Sequence, residues 1–492
     1  MIFLEKYKAK KHNSVRRVLV DNIPHPTYML RFIYLAHVLN TKHGADIYFV
    51  DEENSFSCHV YKQLGYIPIN SRELNKSIRL RAILHYFLDK AFLKFRKKEL
   101  LDLSIGKIFV GDLLIDTVLR YSDEKYTLDF SCAKFTGSVR NAYNYYHRNL
   151  RIIKKYKLTD AVLSHFDYLY FGVLPRLGLK YKMRSHLNLK GGFFKIEVES
   201  DIFYSRFHAS EAIYRELMRI DKQALKVYLN KRFNGEERLF SADEAFRQDR
   251  RTVNRDEFVK ELNLNPGLPI CIIYLHAFAD ANHYEQKMIY KSYFEWCMDT
   301  INVIKTINHV NWVVKDHPLC CLYDEVGVVP ALMKKYNINY VPDDINARSV
   351  LELSDSIVTV RGTAGLEAPI FDIKPILSGY SYYNMYGFTI NCETKEEYYK
   401  ALSSITFKTP LTDEQKDIAA RMLYWTSDLI AIKSSIGDYY LQGETYEESK
   451  KNFDYYVGQI EEIGGIENDP LYDSMVRYLE GNEKSLTGLG VL

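Results

Sequence analysis

At 492 residues the chain is too long for one ordinary hydrophobic core, so two domains are expected. A hydrophobic fraction of 47% and a charged fraction of 26% are normal for a globular protein. A net charge of +3 on 66 basic and 63 acidic residues does not suggest a nucleic-acid binder, which would show a concentrated basic surface.

The N-terminus, MIFLEKYKAKKHNSVRR, puts its apolar residues before its charges, the wrong order for a signal peptide. No apolar run approaches the roughly 20 residues that cross a bilayer. The segment from Arg16 to Pro26 reads as a strand with a proline-containing loop. Apolar residues at helical spacing follow and stop at Gly44, and Ala45 to Asp51 is the next strand. This β-α-β opening starts a parallel doubly wound sheet. A basic helical stretch spans roughly Ser77 to Leu103. Its Lys90, Lys94, Arg96, Lys97 and Lys98 suit an anionic lipid face, although such a run is more commonly a solvated helix face. Gly106 to Ser122 holds a short apolar run and two aspartates, Asp112 and Asp116, four apart. Asn144 to Lys157 reads as a helix. A strand then ends at Ser164-His165, followed by a helix and a return strand. Residues 191–255 are charged, aromatic and irregular, and read as a helical insertion.

The second half alternates regularly. Leu268 to His276 is a strand, Tyr290 to Thr306 a helix, and NWVVKDHP a strand ending at Pro318. A helix near Val329 to Tyr336, the strand INYVP and the helix ARSVLELSD come next. The strand SIVTVRG, the helix TAGLEAPIFD and the strand KPILSG complete a second Rossmann-like unit. The tail from Thr412 is mostly helical. The expected domains are 1–255, 256–425 and a helical tail 426–492 that packs back on the first. Seven scattered cysteines (Cys58, Cys132, Cys271, Cys297, Cys320, Cys321, Cys392) contain no CxxC pair, which argues for a reducing compartment. The 40 tyrosines suit sugar contacts and suit ordinary packing as well.

The chemistry concentrates where these strands end. In RGTAGLEA, Gly362 and Gly365 allow close backbone approach. Thr363 is placed to cap the helix, and the N–H groups of Thr363, Ala364 and Gly365 are expected to point at an anion. Glu367, one turn on, suits a ribose. Strand C-termini of a parallel sheet share one rim, so His276, His317 and the Arg361 loop are expected at one crevice, with Lys315 and Arg361 neutralising a phosphate. No histidine or acid spacing resembles a metal site, so metal-independent chemistry is expected. Asp343-Asp344 reads as a helix cap. For a general base the first half offers Asp21, His25, Asp112, Asp116, His165 and Asp167. Asp112 and His165 rank highest because each follows an apolar strand-like run.

KDHP, the turn RGTAGLEAPIFDIKPILSGYSYY and VGDLLIDTVLR resemble the bacterial capsule and surface-polysaccharide glycosyltransferases, including the Kdo transferases of capsule assembly. The chain is more distantly similar to bacterial sialyltransferases, which also carry a His-Pro motif. The likeness is best from Leu268 to about Leu402 and patchy from Gly106 to Tyr181. It departs from the sialyltransferase pattern at Gly362-Thr363, where those enzymes have a serine pair, and it lacks their acidic base motif.

The resemblance implies a GT-B architecture, two Rossmann-like domains facing across a cleft. It also implies a nucleotide-sugar donor, CMP- or UDP-linked, held by the C-terminal domain with no separate cofactor. His317 and the turn from Arg361 to Gly365 would bind the donor phosphate, and Glu367 would sit by the ribose. The acceptor would be a glycan or lipid-linked molecule at the cytoplasmic face of a bacterial inner membrane. A polyol-phosphate transferase and a nucleotide-sugar epimerase of the same architecture are the alternatives.

Overall fold

A computed structural model describes residues 2–52, 55–91, 101–121, 126, 133–189, 191–203, 211–236, 240–283, 288–408, 410–436, 445–481, 485–487 and 490–491. Two compact units emerge. The first comprises Met1–Thr117, Asp129–Phe203 and Leu429–Leu492; the second comprises Val118–Leu128 and Tyr204–Asp428.

The first unit is built on an eight-stranded sheet. From one edge its strands run Ile67–Asn70, Asp46–Asp51, Arg17–Val20, Asp160–Leu163, Arg184–Leu189, Gly192–Ile196, Ser485–Thr487 and Gly490–Val491. The first five are parallel and the last three pair antiparallel. The strand order reverses between Arg17–Val20 and Asp160–Leu163, the switch point of a doubly wound sheet. The helix Pro26–His43 starts with proline at its first turn. It ends at Gly44, whose left-handed backbone (φ 59°) lets its N–H reach the Leu39 carbonyl. Met29, Leu30, Phe32, Ile33, Tyr34 and Leu35 on this helix are all fully buried, so the helix is apolar on every side. Phe453, Tyr456, Ile460, Leu471 and Met475 of the tail share its core.

The second unit carries a six-stranded, all-parallel sheet in the order Asn339–Tyr340, Asn311–Lys315, Ile270–Tyr274, Ser356–Thr359, Ile376–Leu377, Ile390–Asn391. Its switch point lies between Ile270–Tyr274 and Ser356–Thr359. All but one of the residues in the three central strands are buried, as expected of a parallel sheet covered on both faces. The chain is therefore α/β with two Rossmann-like units, the pair of units of which a GT-B protein is made.

Three expectations are corrected. The units do not divide at residue 255. Helices Glu211–Arg219 and Lys222–Phe233 belong to the second unit. Arg421 donates to the carbonyls of Leu217 (2.9 Å) and Ile220 (2.7 Å), and Tyr228 stacks on Tyr424 at 4.4 Å. The presumed insertion opens with a fully buried strand, Gly192–Ile196, which hairpins onto Arg184–Leu189. The tail is mostly helical as expected, but the helical segment 426–492 also holds two strands, Ser485–Thr487 and Gly490–Val491, which extend the first sheet. The Lys90 side chain and Lys94, Arg96, Lys97 and Lys98 lie outside the described residues. No described helix is long and apolar enough to cross a membrane.

Candidate functional site

In the second unit the switch point brings the ends of Ile270–Tyr274 and Ser356–Thr359 side by side, with Ile273 opposite Val358 in register. His276 and Arg361 follow these strands directly. The His276 ring stacks on Tyr293 at 4.3 Å and 13°. Its Nε2 accepts the Arg361 N–H (3.4 Å) and lies 3.3 Å from Thr359 Oγ1. Burial, reinforced by the charges of His317 and Arg361, holds His276 far below the usual histidine range. A neutral imidazole that accepts at Nε2 carries its proton on Nδ1. That N–H has no hydrogen-bond partner among the described residues.

His317 arrives at the end of the adjacent strand and follows the same logic in mirror form. Its Nδ1 accepts the Leu319 N–H (3.2 Å), so Nε2 carries the proton. Burial lowers its pKa, against the opposing charge of Asp280. Two neutral imidazoles with one spare N–H each thus stand at neighbouring strand ends.

The turn after Arg361 only partly matches its expected role. The Gly365 N–H is taken by the Gly362 carbonyl (2.9 Å), and the Thr363 side chain makes no capping bond. The N–H groups of Thr363 and Ala364 donate to no described residue. Gly362 and Gly365 are needed for packing. A Cβ at Gly362 would come within 3.1 Å of Thr359 Oγ1 and 3.5 Å of His276 Cε1, and one at Gly365 within 2.3 Å of the Tyr383 hydroxyl. That hydroxyl donates to the Gly362 carbonyl (2.6 Å) and fixes the turn from behind.

The Arg361 guanidinium is held in place by its neighbours. Its Nε and Nη2 donate to the Tyr293 hydroxyl (3.1 and 3.0 Å), and Nη2 also donates to the Asn282 carbonyl. Glu367 is not free for a ribose through Oε1, which accepts from Arg232 Nη2 (2.6 Å) and Nε (3.2 Å) in a buried ion pair. Lys315 is buried, and burial followed by the charge of Arg250 pushes its pKa down to about 8. Its other charged neighbours are Asp343 and Asp316. Asp343 and Asp344 do not cap the next helix; Asn346 does, accepting the Arg348 N–H (2.9 Å). Among the described residues no three His, Cys, Asp or Glu side chains gather as metal ligands.

In the first unit Asp112 is not a free base. Arg176 grips it with two 2.6 Å bonds, Nη1 to Oδ1 and Nη2 to Oδ2, and both side chains are buried. Asp116 is buried too, so this face is not solvated. The switch point of this unit instead gathers Asp21, Ser164 and His165. Asp21 Oδ2 accepts the Ser164 hydroxyl (2.5 Å) and N–H (3.3 Å). Burial pushes the Asp21 carboxyl upward, against these bonds and the charge of His165. His165 lies between Tyr28 (5.6 Å) and Phe171 (4.9 Å), and its Nδ1 has no hydrogen-bond partner among the described residues. Burial and His165 together push His25 down to about 4. A cavity of about 50 Å³ lined by Asp21, Asn22, Glu52, Arg148, His165 and Tyr170 opens at this point.

Tyr293 and Tyr383 escaped the sequence reading. Two residues among 40 tyrosines carry no spacing signal that marks them as supports of a turn.

No curated protein sequence matches the chain. Solved structures that it resembles include the β-Kdo 2,4 transferase KpsC of Thermosulfurimonas dismutans, at 12% identity and a TM-score of 0.33, covering 57% of this chain and 86% of that one. The UDP-GlcNAc 2-epimerase of Methanocaldococcus jannaschii gives 11% identity and a TM-score of 0.27, over 83% of this chain and 98% of that one. The wall teichoic acid polymerase TagF gives 10% identity and a TM-score of 0.22, over 93% and 92%. At such scores the fold statement rests on the sheet topology above. The family model described as capsule polysaccharide biosynthesis protein matches residues 300–406. Over that stretch, which includes His317 and the turn from Arg361 to Glu367, the chain matches the capsule polysaccharide biosynthesis family that its motifs resemble.

Proposed function

We propose that the protein is a glycosyltransferase of capsule or related surface-polysaccharide assembly. It moves a sugar from a CMP- or UDP-linked donor to a glycan or lipid-linked acceptor, without a metal ion and with inversion. The observation that carries this reading is the pair of neutral imidazoles, His276 and His317, at neighbouring strand ends, with two unbonded amides in the turn after Arg361; His317 and that turn lie within the segment that matches the capsule family.

As the glycosidic bond breaks, negative charge grows on the departing phosphate. Fixed donors aimed at that charge lower the barrier, and they act most strongly where water is excluded. His276 Nδ1–H, His317 Nε2–H and the amides of Thr363 and Ala364 are such donors. Because both imidazoles are neutral, they donate without holding the product phosphate by full charge. Arg361 and Tyr383 hold the turn in place. Glu367 keeps its carboxylate on Arg232 and steadies the helix start. The first unit supplies the acceptor and its base. His165, with Asp21 beside it in place of Asp112, takes the acceptor proton as the new bond forms. The reaction takes place in the cytoplasm, at the inner face of the membrane.

The test is a transfer assay with His317→Ala. Loss of one such donor is expected to lower turnover about 100- to 1,000-fold, with the melting temperature kept near that of the parent. Unchanged turnover removes His317 from the chemistry. Conversion of donor without any acceptor points to an epimerase, and a phosphodiester product points to a polyol-phosphate transferase. Either outcome replaces the reading.

A further inference from the structure

The helix Ser71–Ala91 of the first unit is apolar on two opposite sides. Its inner side, Leu74, Ile78, Ala82 and Tyr86, is buried, and the buried Asp89 accepts a bond from the Tyr143 hydroxyl (2.8 Å). That pattern docks a helix on a core, and the other side should then be polar. Instead it carries Leu80 at 77% exposure, Leu84 at 59%, Phe87 at 52%, Leu88 at 49% and Ile83 at 39%. At about 100° per residue these five form one continuous stripe. It is the longest run of exposed large apolar side chains on any described helix.

The flanks of the stripe show what it meets. Arg79 and Arg81 are exposed, and helical geometry sets them on its two opposite borders. Arg72 is exposed one turn earlier, and Glu73, in the first turn, is the one exposed acid among the described side chains of the helix. An apolar stripe bordered by arginines matches the boundary of an anionic bilayer. The apolar side chains enter the acyl region and the guanidinium groups stay at the phosphates. Either signal alone binds weakly; together they give stable but reversible attachment.

We infer that the exposed face of Ser71–Ala91 is a docking surface for an anionic lipid membrane, on which the helix lies flat. Leu80, Leu84, Phe87 and Leu88 insert, and Arg79 and Arg81 contact lipid phosphate. The inference stands on this helix alone and does not depend on the transfer reaction. It does explain how a protein with no described membrane-crossing helix would reach a lipid-linked acceptor.

The full chain, with no donor present, is floated with vesicles of phosphatidylcholine, with and without phosphatidylglycerol. Binding to the anionic vesicles is expected, with little binding to the neutral ones and loss in high salt. Leu84→Glu with Phe87→Glu should lower the partition coefficient about 100-fold, and Arg79→Glu with Arg81→Glu about 10-fold. These positions are exposed, so the melting temperature and the transfer rate on a water-soluble acceptor should match the parent. Failure of the parent to bind anionic vesicles overturns the inference, and so does equal binding by the apolar pair variant. A dimer that Leu84→Glu with Phe87→Glu converts to monomer in light scattering would assign the stripe to self-association instead.

Discussion

A charged side chain inside a protein is defined by what it is paired with. Asp112 makes the point: its two oxygens are both committed to Arg176, and neither partner reaches bulk water. Removing one half of a buried pair leaves the other half uncompensated. Asp112→Ala is therefore expected to destabilise the first unit by roughly 3–5 kcal/mol, read as a lower denaturant midpoint. Donor binding measured at low temperature should stay intact. Asp21→Asn should do the opposite, keeping the fold and removing transfer, because its carboxylate is held by Ser164 and stands beside His165. The sequence favoured Asp112 because an aspartate after an apolar run looks like a strand-end acid. Its partner lies 64 residues away, and no local spacing announces it. His317 was legible for the converse reason. A histidine next to a proline at a strand end is placed by the strand alone.

The turn between Arg361 and Glu367 behaves as one element, tied from both sides. Tyr383 holds the Gly362 carbonyl, and the N–H of Arg361 is held by His276. Tyr383→Phe should cost about 1 kcal/mol, the net worth of one hydrogen bond. It should raise the dissociation constant for the nucleotide by loosening the turn, as isothermal titration would show. Gly365→Ala should cost more, roughly 1–3 kcal/mol, because its methyl group lands on the Tyr383 hydroxyl in a filled site. The glycines were legible in the sequence, but the reason for them was not. Turn chemistry predicts a close backbone approach. A tyrosine packed behind the turn is a tertiary contact from 21 residues away.

At the scale of the whole molecule, the strand and helix alternation of both sheets was legible because hydrophobic period and turn residues mark each element locally. The unit boundaries were not, since they depend on contacts between segments distant in sequence. Titration is a property of this scale as well. Burial lowers the pKa of seven histidines: His25, His37, His43, His147, His186, His276 and His317. For each, the unfolded chain binds its proton at a higher pH than the folded one. Stability is then full above the ordinary value of 6.5 and falls as pH drops below it. Asp316, pushed up to about 6, Glu325, pushed up to about 7, and Asp21, raised by its burial, act in the other direction, gaining stability as they protonate. The histidines outnumber them. The melting temperature is therefore expected to fall between pH 7 and pH 5, a range set by the histidine and carboxylate titrations. A melting temperature that rises on acidification would show the three acids in control.

The late strand Ser485–Thr487, laid against Gly192–Ile196, has a kinetic corollary. Ribosomal synthesis delivers Tyr204–Asp428 as one uninterrupted stretch, while its neighbour waits for the segment beyond Leu429 to cover the helix Pro26–His43. The embedded unit can mature first. The interval before the other closes is when a nascent chain would most need a chaperone over that uncovered helix.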